Sequence, residues 1–169
     1  MTKRSSEGRG PPNRIRSETQ EMYQSGFRPW EESRLDDMAD FLAEHLPSPQ
    51  KVRTILEIGC GRGLRALLTA TKLFNASGTR YCGLDVSPEA VAHAKRFYDE
   101  LKSGTVPAPL TPFLKGHPRL VCDVEFWAGD FTANELPPST PSFDLVVDWW
   151  CLHELFAPLR KTYVDLVTR

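Results

Sequence analysis

Four acidic residues, Glu57, Asp85, Asp130 and Asp148, stand at or just beyond the ends of four short apolar runs in this 169-residue chain. If those runs are parallel strands, their carboxyl ends form the edge at which open sheets bind ligands, and the four carboxylates converge there. An ionised carboxylate only accepts hydrogen bonds, so such an edge favours hydroxyls, amines and cations over phosphates. The first acid precedes Gly59-Cys60-Gly61-Arg62-Gly63, a turn where backbone approaches a ligand closely and the next helix aims its unpaired N–H groups at it. Dinucleotide sites use Gly-x-Gly-x-x-Gly, whereas here Leu64 stands where the third small residue belongs, which weakens an oxidoreductase reading with NAD(P). Asp85 is placed to accept from both ribose hydroxyls, and Asp130 from the exocyclic amine of a base. Arg62 and Arg65 are the basic residues near the turn, so the constellation describes a nucleoside site without a pyrophosphate grip, suited to a cationic cofactor.

Beyond the fourth run come Asp148, Trp149, Trp150, Cys151 and His153. Asp148 is a candidate for contacting substrate or the methionine amine of a cofactor, or for capping the segment after it. His153 is the imidazole nearest the reacting end and a candidate general base for an acceptor that must lose a proton. The two tryptophans wall an acceptor pocket or belong to the core. Cys151 reads as a buried thiol without an adjacent base. Cys60, Cys82, Cys122 and Cys151 lie far apart, with no Cys-x-x-Cys pair and no histidine at ligand spacing, which reads as reduced thiols and no metal site.

Strands alternating with helices must position these residues, and the pattern supplies them. After Pro29, Glu31 and Glu32, the residues Leu35, Met38, Ala39, Leu42 and Leu46 recur at helical spacing until Pro47. Residues 52–58 read as a strand, the glycine turn follows, and Leu64, Leu67, Leu68 and Thr71 return to the helical period. A second strand spans 80–84 and ends in Asp85. Ser87 and Pro88 then supply an N-cap and first-turn proline for a helix presenting Val91, Ala94, Tyr98 and Leu101. Pro107, Pro109, Pro112 and Pro118, with Gly104 and Gly116, make residues 103–118 an inserted surface loop. Strands over 124–128, ending in Gly129 and Asp130, and over 143–147 follow. A last helix starts at Pro158 with Leu159, Tyr163, Leu166 and Val167 on its buried face. The class is α/β with a mostly parallel sheet.

Composition agrees with one folded unit: 40% of residues are hydrophobic and 25% charged. Residues 1–22 are polar, with Arg, Gly and Pro, and read as a flexible tail; the domain occupies 23–169. Arg34 and the Trp30 region read as a lid over the site or as a solvated helix face. With 21 basic against 22 acidic residues the net charge is -1, which leaves no global field for nucleic acid or an anionic membrane. No apolar run approaches the roughly 18 residues of a membrane span, so a cytoplasmic location is expected.

Four segments taken together carry a resemblance. LEIGCGRG (residues 56–63), YCGLDVSPEAV (81–91), AGDF (128–131) and FDLVVDWWCLHEL (143–155) resemble, in order, the cofactor motifs of class I S-adenosylmethionine-dependent methyltransferases. The resemblance implies a Rossmann-like three-layer sandwich and S-adenosyl-L-methionine as cofactor. Glu57, Gly59, Cys60 and Gly61 would hold its methionine part, Asp85 its ribose, Val86 the adenine face, and Gly129, Asp130 and Phe131 the adenine edge. Asp148 and His153 would serve the chemistry. The insertion before the third strand and the segment after the fourth look most like small-molecule methyltransferases of the thiopurine and tellurite-resistance type. Trp149 and Trp150 replace the prolines of the amino-methylating nucleic-acid enzymes. The reading is therefore methyl transfer to a small-molecule sulfur or nitrogen nucleophile, with a non-catalytic module of the same fold as the alternative. Because the family builds seven strands, the sheet is expected to be truncated after the fourth strand and its helix, leaving that strand as an apolar edge open to dimerisation.

Overall fold

The computed structural model describes residues 21, 24, 25, 34–116, 119–137, 142–149, 151, 152, 155 and 157–167. The strands are β1 (Thr54–Ile58), β2 (Arg80–Asp85), β3 (Asp123–Ala128) and β4 (Leu145–Asp148), and the helices α1 (Asp37–His45), α2 (Leu64–Leu73), α3 (Pro88–Lys102) and α4 (Ala157–Val167). All pairings are parallel, in the order β3-β2-β1-β4. The sheet is thus that of a Rossmann-like α/β sandwich, with β4 outermost on one side among the described strands. β1 is central and reads as a continuous apolar run because helices cover both of its faces, leaving Ile55, Leu56 and Ile58 buried.

Register sets the site. Ile58 stands opposite Leu84 on β2 and opposite Asp148 on β4, and Asp85 stands opposite Ala128. The strand ends carrying Glu57, Asp85, Gly129 and Asp148 therefore finish at one level, which puts the sequence-identified acids on one rim.

Two apolar layers sandwich the sheet. On one face Leu35, just before α1, and Met38 and Leu42 of α1 pack with Leu64, Leu67 and Leu68 of α2, with Val91, Ala94 and Leu101 of α3, and with Ile55 and Tyr81. On the other, Tyr163 of α4 joins Leu56, Ile58, Cys82, Leu84, Phe131 and Leu155. Ser87 caps α3 as expected, its side chain accepting from the Ala90 N–H at 3.2 Å.

Several expectations need correcting. Residues 103–118 are not merely a surface loop: Leu110, in a 3-10 turn, and Leu114 insert into the core between the prolines. Val167 is exposed, so it does not share the buried face with Tyr163. On α3 it is Phe97 that is buried, while Tyr98 is half-buried at the edge of the core. Strand β4 begins at Leu145 rather than at 143, because Asp144 turns to the start of β1. Its Oδ2 accepts from the N–H groups of Arg53 and Thr54, both at 2.8 Å, and these bonds hold its carboxyl below the usual range. Asp144 thus clamps the start of β4 to the start of β1. Of the expected last helix, the side chains of Leu159 and Leu166 lie outside what is described, as do residues 1–20 and Trp30.

Candidate functional site

The glycine turn is shaped by its backbone. Gly59 has φ +76° and a Cβ there would sit 2.6 Å from the Cys151 Sγ, so the turn and the segment after β4 touch at a point only glycine permits. Gly63, the residue before α2, has φ +72°, and a Cβ would come within 2.8 Å of both Phe126 on β3 and Ala94 on α3. Gly63 thus supplies the close helix–sheet approach. Leu64, which stands where the dinucleotide spacing wants a small residue, opens α2 and lies in the core. The spacing Gly59-x-Gly61-x-Gly63 is a different solution to the same steric demand.

Asp85 ties this turn to β2. Its Oδ2 accepts from the Gly61 N–H at 2.8 Å and its Oδ1 from the Ser87 N–H at 2.8 Å. Burial pushes its carboxyl upward and these two N–H groups oppose that rise. Two acceptor positions remain on the oxygens of a carboxylate held in this way. The turn is also stitched to β2 through the Leu84 carbonyl, which accepts from Gly59 at 2.8 Å and Cys60 at 3.1 Å. The Cys60 thiol is buried, and burial raises it well above its ordinary value, so it stays neutral.

Glu57 is only 2% exposed, and its Oε2 accepts from the Tyr81 hydroxyl of β2 at 2.7 Å. Burial raises its carboxyl to about 7; the Tyr81 bond and Arg65 pull it down, and Asp85 and Asp148 push it up. Tyr81 was missed in the sequence, although parity could have found it. It pairs with Ile55, two residues before Glu57, and so shares its face.

At the end of β3, the Gly129 N–H donates to the Asp85 carbonyl at 2.9 Å, bringing this corner against β2. Asp130 caps a short turn through Phe131–Ala133, with Oδ1 accepting from Thr132 N at 2.9 Å, while its own N–H donates to Glu135 Oε2 at 2.8 Å. Phe131 is buried against Tyr163, with ring centroids 4.9 Å apart, and Val86 is half-buried.

Asp148 is heavily engaged. Its Oδ1 accepts from the N–H groups of Cys151 at 2.9 Å and Leu152 at 3.3 Å, and its Oδ2 accepts from the Tyr163 hydroxyl. That is the capping use weighed for it in the sequence. Trp149 packs on the α1 side of the core with its ring 5.8 Å from Phe41, and Cys151 is half-buried rather than buried. Arg34 is paired with Asp36, Asp37 and Asp40 along the start of α1, which suits a helix face better than a lid. His153 and Trp150 lie outside the described residues. The rim therefore assembles Glu57, Gly59, Cys60, Gly61, Asp85, Gly129 and Asp148.

Comparison with known proteins adds to this geometry. A family model described as a methyltransferase domain matches residues 30–160. No curated protein matches. Among solved structures the chain is similar to an S-adenosylmethionine-bound amino pentose methyltransferase from Micromonospora echinaspora, with TM-score 0.54, 18% identity, and 87% of this chain and 50% of that one covered. It is similar to magnesium protoporphyrin IX methyltransferase from Synechocystis PCC 6803 with bound S-adenosylhomocysteine, with TM-score 0.50, 16% identity, and 95% and 57% covered. It is also similar to the [4+2]-cyclase SpnF, with TM-score 0.53, 24% identity, and 79% and 40% covered. The chain spans between 40% and 57% of the length of these three, and at such identities the likeness is one of fold.

Proposed function

This chain belongs to the methyltransferase domain family, and from that premise we propose that it binds S-adenosylmethionine at the rim of β1, β2 and β3 and transfers its methyl group to a small-molecule sulfur or nitrogen nucleophile. The observation that carries the reading is Asp85: each of its carboxylate oxygens accepts one N–H, Oδ2 from Gly61 and Oδ1 from Ser87, and each keeps a further acceptor position for a vicinal diol. The similar amino pentose and porphyrin enzymes were crystallised with S-adenosylmethionine and S-adenosylhomocysteine, which supports the same cofactor here.

When bound, the cofactor supplies a methyl group already activated on a sulfonium, so the protein's work is orientation and exclusion of water. Gly59, Cys60 and Gly61 offer close backbone to the methionine part. Asp85 orients the ribose. Val86 and Phe131 are apolar surfaces for the adenine, with Asp130 at its amine. His153 is the candidate base for a protonated acceptor, while Asp148 orients the backbone after β4. Binding of S-adenosylmethionine, S-adenosylhomocysteine and NADH by calorimetry tests the cofactor, and turnover of a thiol and amine panel tests the acceptor class. Binding of NADH alone overturns the reading.

A second reading has its own support. Asp148 already accepts from three donors of the chain itself, Cys151, Leu152 and Tyr163, one more than Asp85, which favours a cofactor-binding fold without methyl transfer. Tight cofactor binding with no turnover across the panel would select it.

A further inference from the structure

We propose that residues 13–17 of this chain dock as an added strand along the outer edge of β3, over the groove between β3 and α3. The free edge, the groove and the order of charged and apolar residues each fit that one segment.

β3 is outermost on its side of the sheet among the described strands. The Asp123 N–H donates to the Thr79 carbonyl and the Gly129 N–H to the Asp85 carbonyl, each at 2.9 Å, so the odd-numbered residues of β3 turn their backbone groups to β2. Those of Val124, Phe126 and Ala128 face outward, and no described strand pairs with them. Val124 and Phe126 bury their side chains on the α3 face, and beside them lies a groove of about 320 Å³ walled by Lys95, Tyr98 and Asp99 of α3. Trp127 packs on the opposite face, where Glu125 pairs with Arg80 at 2.8 Å and Asp123, two residues earlier, is exposed. A sheet edge of this length is ordinarily covered or guarded.

The matching segment is Asn13-Arg14-Ile15-Arg16-Ser17. Apart from prolines, Met1 and Ile15 are the apolar side chains of residues 1–20, and Ile15 has an arginine on each side. In a strand, Ile15 and the two arginines point to opposite faces. With Ile15 opposite Val124, its side chain lies over the groove on the α3 face, while Arg14 and Arg16 stand opposite Asp123 and Glu125 whichever way the segment runs. The groove carries one charge of each sign, Lys95 and Asp99, so the two acids on the other face decide the preference for a basic segment. Asn13, Ile15 and Ser17 then turn their backbone to β3, and each has an N–H to give. Pro11, next in that series, has none and ends the strand.

The chain's own segment can reach. Phe41 of α1 lies 5.8 Å from Trp149, just past β4, which places α1 at the side of the sheet away from β3, about 15 Å across four strands. Glu21, Gln24 and Ser25 are helical, and even a helix over all of residues 18–25 leaves a connection from Ser17 to Arg34 of roughly 35 Å. Such a tether gives a local concentration of about a millimolar, so weak strand addition suffices and the segment outcompetes that of a second copy in dilute solution.

Amide hydrogen exchange of the full chain, read at Val124 and Phe126 by NMR, tests the docking. Both amides should exchange about tenfold more slowly in the wild type than in Ile15→Asp, with the amides of β1 unchanged. Arg14→Glu combined with Arg16→Glu should also lose the protection. Adding Asp123→Lys to that pair should restore part of it, because one of the two positions faces residue 123 in either strand direction; a loss of general stability would not be rescued in this way. Equal exchange in wild type and Ile15→Asp overturns the inference, and so does the absence of recovery with Asp123→Lys. Protection that grows with protein concentration overturns it as well, since the occupant is then a second copy.

Discussion

The Gly61 amide donates to the Asp85 carboxylate across 2.8 Å, so the glycine turn after β1 is braced by the last residue of β2. The same acid also accepts from Ser87, two residues ahead of it. One side chain thus sets both the turn and the entry to α3, and ligand contact and local architecture cannot be separated there.

Asp85→Ala should lower S-adenosylmethionine affinity by well over tenfold, because charged hydrogen bonds to the ribose are lost and the turn is unbraced. It should also cost about 1–3 kcal/mol of stability, since two buried N–H groups lose their acceptor. Calorimetry gives the first and urea unfolding the second. Unchanged affinity would remove Asp85 from the cofactor site.

The ligand-free protein should lose stability as pH rises from about 4.5 to about 7. Glu57 is held above its unfolded value, so the native state binds more protons than the unfolded chain in that window, and the deficit above it is about 3 kcal/mol as an upper bound. Asp85, also raised, acts in the same direction. Glu57→Gln should abolish most of the decline and be the more stable form at pH 8, as read by thermal melts at pH 5 and pH 8.

Gly63→Ala should destabilise the domain by about 2–4 kcal/mol, combining a left-handed backbone with overlap against Phe126 and Ala94. Chemical unfolding measures it. A loss below about 1 kcal/mol would mean that α2 and α3 shift freely relative to β3.

Tyr163→Phe should loosen α4 from the sheet by about 1–2 kcal/mol, because Asp148 loses its hydroxyl donor while the ring stays on Phe131. Hydrogen exchange should speed up in α4 and in the segment after β4, and stay unchanged in α3. Burial and the neighbouring Asp148 both raise the Tyr163 hydroxyl, so the donor should persist to high pH.

Local signals made much of this legible. The Ser87-Pro88 start of α3, the apolar run of β1 and the glycine turn each depend on residues a few positions apart, and all stand where their patterns place them. Segments that defy local rules were harder. Leu110 and Leu114 lie among prolines and glycines that mark a loop, yet they enter the core, because burial depends on what α2 and α3 leave uncovered rather than on periodicity.

By itself the sequence determined the β-α rhythm, the acids at the strand ends and the family to which the chain belongs, since period, capping and motif spacing are properties of the chain read along its length. Only the tertiary structure decided what those acids meet. Strand register brought Tyr81 under Glu57 and Gly61 against Asp85, and it set Asp144 as a clamp and Asp148 as a cap. A carboxylate's charge and partners follow from its burial and from neighbours on other strands, and those are settled only when the strands pair.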